Sequence, residues 1–84
     1  MTDEEYDILN ELYFLTAFKE LSDACGLEPK KLKTALWNMI IKGWVNCFKN
    51  YDQEINPTKK DFEYQFTNYH YLASKKGLLA HNAR

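Results

Sequence analysis

The chain has 84 residues, of which 45% are hydrophobic and 15% aromatic, and its net charge is −1. This length and composition predict one folded domain over residues 1–84, exclude a disordered chain and leave no room for a deep catalytic cleft. The chain has no apolar run of about 18 residues and no basic-then-apolar leader, so we expect a cytoplasmic protein that does not contact a membrane.

The first helix is predicted to begin after Thr2, because Thr2 and Glu5 have the spacing of a capping box. Apolar residues recur along it at helical spacing and predict one buried face: Tyr6, Ile8, Leu9, Leu12, Tyr13 and Leu15. Nothing in this helix indicates a binding site. Residues 15–17 form the connector, and Thr16 is expected to cap the next helix.

A short second helix and a longer third helix are separated by a glycine turn. Phe18, Leu21, Ala24 and Cys25 mark the buried side of the second helix, and Gly26 is expected to end it in a left-handed conformation. Pro29 suits the first position of the third helix, which we expect to run to Lys42 and stop at Gly43. Helix, glycine turn and second helix are the outline of a helix-turn-helix.

The third helix has two distinct faces. The inward seam consists of Leu32, Ala35, Leu36, Met39 and Ile40. The outward positions are Lys30, Lys31, Lys33, Thr34, Trp37, Asn38 and Ile41.

The second half of the chain has a mixed pattern. Residues 44–51 are rich in aromatic and β-branched residues and predict a strand, and residues 52–60 predict a loop. Residues 61–68 fit either a strand or a helix. Residues 68–73 predict the returning strand of a hairpin, and Ser74 is expected to cap a short last helix. The aromatic rings of this half are expected to supply much of the core, although rings of this kind can also stack on bases.

Three local patterns occur in the order ELSDACGL, LKTALWNMIIKGWV and YHYLASKKGLL. Together they resemble the bacterial winged helix-turn-helix domains of transcriptional regulators of the MarR and PadR type, over nearly the whole chain. The resemblance implies an α+β fold with a three-helix core, a β-hairpin wing and a short C-terminal helix. It also implies that double-stranded DNA is the partner, that the chain forms a homodimer and that no cofactor is needed.

The resemblance assigns the DNA contacts to two regions. The residues implied to face the major groove are Lys30, Lys31, Lys33, Thr34 and Asn38. The wing residues implied to lie near phosphate are Lys49, Lys59 and Lys60. Lysines near the start of a helix in the groove would contact phosphate or guanine, while Thr34 and Asn38 would contact base edges.

Charge along the chain leaves two interpretations open. Residues 1–28 contain eight acidic residues and one lysine, whereas residues 29–84 contain ten basic and four acidic residues. Such a polarity allows one face to bind a polyanion, but two solvated helix faces would produce the same distribution.

An alternative function is a winged-helix protein-interaction module with little affinity for DNA. Trp37 and Ile41 are four residues apart on the outward side of the third helix, where an apolar pair would favour self-association or a protein partner. The competing explanation is that residues 61–68 or the C-terminal helix cover this pair. The acidic first third and the absence of arginine before Arg84 also favour the alternative.

No catalytic or metal-binding pattern is present. Cys25, Cys47, His70 and His81 do not have the spacing of a zinc site, and the two cysteines predict reduced, buried thiols. No nucleophile motif, acid–base pair or glycine-rich phosphate loop occurs, so we expect neither an enzyme nor a small-molecule substrate.

Overall fold

The computed structural model describes all 84 residues, Met1–Arg84, which form an α+β domain with five helices and a four-stranded antiparallel sheet. The helices are α1 (Asp3–Glu11), α2 (Phe18–Cys25), α3 (Pro29–Ile41), α4 (Lys59–Gln65) and α5 (Lys75–Ala83). The strands are β1 (Thr16–Ala17), β2 (Val45–Phe48), β3 (Glu54–Ile55) and β4 (His70–Ala73), and a 3-10 turn spans Phe66–Asn68.

The sheet has the order β1-β4-β2-β3. Its centre is the antiparallel pair of β2 and β4, in which Cys47 lies opposite Tyr71. Strand β1 pairs with the outer side of β4, and β3 pairs with the outer side of β2. Because β3, α4 and the 3-10 turn all lie between β2 and β4 in the sequence, the hairpin formed by the central strands carries a helical insertion.

The core lies between the helices and one face of the sheet. The predicted inward seam of α3 is confirmed, since Leu32, Leu36 and Met39 are fully buried, Ala35 is buried and Ile40 packs against them. The largest fully buried side chain is that of Tyr71, whose hydroxyl donates a hydrogen bond of 2.7 Å to the carbonyl oxygen of Phe66. This bond gives the buried phenol a partner in an otherwise apolar interior.

Most of the predicted helix ends are confirmed. Thr2 and Glu5 form the capping box of α1, Gly26 ends α2 with a φ of 65°, and Pro29 begins α3. The prediction for Thr16 is wrong, because Ala17 occupies the cap position of α2 without a side-chain hydrogen bond. The Thr16 hydroxyl instead donates to the carbonyl oxygen of Phe14, at 2.8 Å.

The segment between the two central strands differs from the loop and the strand expected there. The strand predicted at 44–51 is shorter, and the loop predicted at 52–60 contains the two-residue strand β3. The ambiguous residues 61–68 are helical, because the side chain of Thr58 caps α4 by accepting from the backbone N–H of Asp61. Phe62 of α4 is fully buried and Phe66, at the start of the following 3-10 turn, packs against the core, whereas Tyr64 is 74% exposed.

Close backbone packing joins the end of α3 to the start of α5. The backbone N–H of Ser74 donates to the carbonyl oxygen of Trp44 at 2.9 Å, and the Ser74 hydroxyl donates to the carbonyl oxygen of Gly43 at 2.5 Å. The same hydroxyl oxygen caps α5 by accepting from the backbone N–H of Gly77. A Cβ atom at Gly77 would lie 2.1 Å from the carbonyl oxygen of Trp44, so this position in the first turn of α5 requires glycine.

The substitution Gly77→Ala should therefore lower the free energy of unfolding by about 3 kcal/mol, the upper end of the range for overpacking, because the clash is with backbone. The matched control is Gly26→Ala, where φ is positive but no atom lies within 4 Å of the new Cβ. Left-handed strain alone should cost about 1 kcal/mol there. Urea unfolding measures both, and equal losses for the two variants would contradict this account.

Candidate nucleic-acid interface

The exposed edge of α3 carries four of the residues assigned to DNA. Lys30, Lys31, Thr34 and Asn38 are all exposed, and residues at 30, 34 and 38 share one side of the helix. The Thr34 hydroxyl donates to the carbonyl oxygen of Lys30 at 3.2 Å, whereas Lys30 and Lys31 take part in no ion pair. We call these four residues the α3 strip.

The start of α1 borders one side of the α3 strip. A shallow depression lined mainly by polar and charged residues lies between the two helices, and its lining includes Glu4, Glu5 and Glu28 beside the strip. The acidic first third of the chain is therefore not confined to a separate face, because part of it lies next to the lysines of α3. An anion that approaches Lys30 and Lys31 also meets Glu4 and Glu28, which weakens its attraction to the lysines.

One of these carboxylates, Glu5, is neutralised within the fold. The Glu5 side chain is buried, its oxygen Oε1 accepts from the backbone N–H of Thr2, and its oxygen Oε2 lies 3.0 Å from Lys42 Nζ. Burial by itself favours the neutral acid, but the Thr2 backbone hydrogen bond and the Lys42 ammonium outweigh it. They hold the pKa of the Glu5 carboxyl below its usual range.

Helix α4 borders the other side of α3. Its residue Glu63 forms ion pairs with two of the predicted DNA-binding lysines. Lys33 Nζ lies 2.8 Å from Glu63 Oε2, and Lys59 Nζ lies 3.7 Å from Glu63 Oε1. The Lys33 side chain is only 22% exposed. Hydrogen bonding by Lys33, together with the nearby charge of Lys59, lowers the pKa of the Glu63 carboxyl. Glu63 is thus ionised at neutral pH and already pairs with both lysines.

Helix α4 also covers Trp37. The Trp37 ring packs against the fully buried Phe62 with ring centroids 5.1 Å apart, and Lys59 Nζ lies 5.1 Å from the Trp37 centroid. Of the apolar pair expected on the outward side of α3, only Ile41 remains largely exposed, at 67%. The interpretation that residues 61–68 cover this pair is therefore confirmed for Trp37, which contacts Phe62, but not for Ile41.

The remaining two predicted phosphate contacts, Lys49 and Lys60, are exposed and unpaired by any acid. Lys49 lines a depression with Asp61 and Gln65, which lie on the opposite side of α4 from Glu63. Helix α4 therefore separates Lys49 from the α3 strip, and the eight residues assigned to DNA do not form one continuous patch.

The two cysteines are free thiols in surroundings that disfavour the thiolate. Burial raises the pKa of Cys47 to about 12, and burial together with Glu11 and Asp7 raises the pKa of Cys25 to about 11. Both thiols are protonated at neutral pH, which makes them poor nucleophiles and poor metal ligands. Cys47 is buried as predicted, whereas Cys25 is partly exposed. No group of three or more histidine, cysteine or acidic side chains is placed to hold a metal ion.

Glu63 is the residue at this surface that the sequence analysis missed. Its spacing of four residues from Lys59 is the pattern of an ion pair on a helix, but this signal has meaning only once residues 59–65 are known to be helical. Its contact with Lys33 joins positions 30 residues apart and has no local signal.

Comparisons with protein-family models, with curated proteins and with solved structures found no match for this chain. The assignment to the winged helix-turn-helix regulators accordingly remains a prediction. None of the five helices is both long enough and apolar enough to cross a membrane.

Protonation of Glu5 should contribute to acid unfolding. The folded-state pKa lies below the usual value of 4.5, so the ion pair stabilises the fold above about pH 4.5, and this contribution is lost as the pH falls through the lowered pKa. In Glu5→Gln, which retains an acceptor for the Thr2 N–H, stability at pH 7 should fall by up to about 1 kcal/mol, and the loss between about pH 5 and 3 should be smaller than in the wild type.

The matched control is Glu4→Gln, which removes one charge from the same turn of α1 but breaks no ion pair. Urea unfolding at a series of pH values measures these differences. If the free energy of unfolding depended on pH identically in Glu5→Gln and the wild type, protonation of Glu5 would not be the cause of the lost stability at acid pH.

Proposed function

We propose that this protein is a winged helix-turn-helix regulator that binds double-stranded DNA with α3. The order α1, β1, α2, α3, β2, β4 and the adjacency of β1, β4 and β2 in the sheet support this proposal. In that architecture a helix-turn-helix is followed by a hairpin wing, and its second helix enters the major groove. Here β2 and β4 would be the wing strands, and α4 would be an insertion between them.

The observation that carries the proposal is the α3 strip. It follows Gly26, the turn between α2 and α3, and combines two unpaired lysines with two side chains, Thr34 and Asn38, that can contact base edges. A helix of 13 residues is about 20 Å long, and the strip extends over more than half of it. Lys30 and Lys31 would contact phosphate and set the register, while Asn38 would select adenine.

The number of unpaired lysines determines the strength of binding. Lys30, Lys31, Lys49 and Lys60 are unpaired, while Lys33 and Lys59 are paired with Glu63. Lys49 is not counted, because α4 separates it from the α3 strip. Two to three phosphate contacts correspond to a slope of log affinity against log salt of roughly −2 to −3 on duplex DNA. Binding to random sequence should thus be weak at physiological salt and clear at low salt.

A protein-interaction module is the second candidate, favoured by the mixed charge around α3. Glu4 and Glu28 lie beside the α3 strip, and Ile41 is exposed at the end of the same helix. A surface of alternating charge with an apolar residue suits a protein partner or a second copy of the chain better than a polyanion. In that case the protein would show no salt-dependent DNA binding, and Ile41→Lys would reduce the mass measured by light scattering.

The two candidates are separated by fluorescence anisotropy with random-sequence duplex DNA over a salt series. Lys30→Ala combined with Lys31→Ala should weaken binding by roughly tenfold at low salt and make the slope shallower by about two, because two phosphate contacts are lost. Contacts with phosphate do not depend on base sequence, so this loss of affinity should be equal for duplexes of different sequence.

The matched control replaces Lys75 and Lys76 with alanine, which removes the same charge from α5. This site adjoins the end of α3 at Gly43, about 18 Å along the helix axis from Lys30. The control is compared at about 0.1 M salt, where the screening length is about 10 Å, and it should retain most of the affinity there. Equal losses in the two double variants, or no binding by the wild type at low salt, would contradict the proposal.

A further inference from the structure

Three charged side chains converge where α4 packs against α3. Lys33 from α3 and Lys59 from α4 approach different oxygens of the same carboxylate, that of Glu63, at 2.8 Å and 3.7 Å. The carboxylate therefore lies between two ammonium groups that come from separate elements. Because both ammonium groups can donate charge-assisted hydrogen bonds to one oxyanion, their positions suit an anion other than the Glu63 carboxylate as well.

Aromatic packing holds both lysines in place. Lys59 Nζ lies 5.1 Å from the centroid of Trp37, and Lys33 Nζ lies 5.4 Å from the centroid of Phe66. The two rings are fixed through Phe62, which is fully buried and contacts both of them. Because the lysines rest on rings rather than only on Glu63, they should stay near their positions when the carboxylate leaves.

The site is open to solvent on the side of Lys59 and Glu63, whose side chains are 61% and 40% exposed, whereas the Lys33 side chain is 22% exposed. Glu63 can therefore rotate into solvent without disturbing the core, and a ligand would reach the Lys33 ammonium from the side that the carboxylate leaves. The site also lies on the same helix as the α3 strip, since Lys33 follows Lys30 by three residues. A polyanion lying along the α3 strip would thus pass close to Lys33 and Lys59.

We propose that Lys33 and Lys59 together form a binding site for one phosphate of the DNA backbone, and that Glu63 is an internal competitor for this site. This inference rests on the proposed function and adds to it a contact made jointly by α3 and α4. In the free protein the carboxylate occupies the site. In the complex a phosphodiester replaces it, and Glu63 rotates outward.

The competition limits the affinity of the wild-type protein. A phosphate gains contact with two lysines only when their existing ion pairs break, so the net gain is smaller than for two free lysines. Removing the charge of Glu63 while keeping the size of its side chain should release both lysines. In Glu63→Gln the affinity for duplex DNA should rise roughly five- to tenfold at low salt, and the salt slope should become steeper by up to about one, because the site contacts one phosphate.

The matched control is Asp61→Asn, which removes one negative charge from the same helix. Residue 61 lies on the opposite side of α4 from residue 63, and Asp61 takes part in no ion pair. A general reduction of repulsion would affect both variants similarly, whereas release of the two lysines affects only Glu63→Gln. The control should change affinity by less than about twofold and leave the salt slope unchanged.

A second variant tests which lysines are released. Adding Lys33→Gln to the Glu63→Gln protein should remove most of the gain, because one of the two ligands of the phosphate is then missing. Thermal melting of each variant checks that α4 remains folded. A gain that persists without Lys33 would overturn the assignment of this lysine to the site.

The outcomes separate the two proposals and the two sources of phosphate. Equal DNA affinity for the wild type, Glu63→Gln and Asp61→Asn would overturn this inference while leaving the proposed function intact. No binding by any variant at low salt would overturn the proposed function itself. If inorganic phosphate raised the melting temperature of Glu63→Gln while its DNA affinity stayed at the wild-type value, the site would hold free phosphate and the assignment to DNA would be wrong.

Discussion

The packing of Phe62 against α3 is the constraint on which the proposed interface depends. Phe62 is fully buried, and its ring contacts Trp37 of α3, Phe66 and Tyr71. Burying such a ring stabilises the fold by about 2–3 kcal/mol, so α4 is held against one side of α3. This single contact covers Trp37 and brings Glu63 to the lysine beside it. The insertion between the central strands therefore decides which residues of α3 stay free.

Both sides of α3 are occupied, and this explains why the charge polarity of the sequence does not become two separate faces. Helix α4 lies along one side, and the acidic start of α1 lies along the other, where Glu5 pairs with Lys42. The α3 strip is what remains between them. A nucleic acid would meet a narrow basic strip bordered by Glu4 and Glu28, so the electrostatic attraction is local and strongly screened by salt. Affinity would depend on a few contacts rather than on a broad positive field.

The sequence predicted the first three helices well, because their signals are local. The capping box at Thr2, the glycine turn and Pro29 each act within one turn of helix. The pattern over α4 is ambiguous, because Phe62, Tyr64 and Phe66 alternate as in a strand, while Phe62 and Phe66 are also four apart as in a helix. The contact of Phe62 with Trp37 and the ion pair of Glu63 with Lys33 join segments that are distant in the sequence. The periodicity of one segment gives no information about such contacts.

Nuclear magnetic resonance of the 15N-labelled protein, titrated with a short duplex at low salt, tests the central claim most directly. Changes in amide shifts should be confined to α3 between residues 30 and 38 and to α4 between residues 59 and 63, and they should reverse on adding salt. The amides of α5 and of the edge strand β3 should not change. Shifts centred on α5 or the sheet, or no shifts at all, would contradict the account that DNA binds along α3 and its contact with α4.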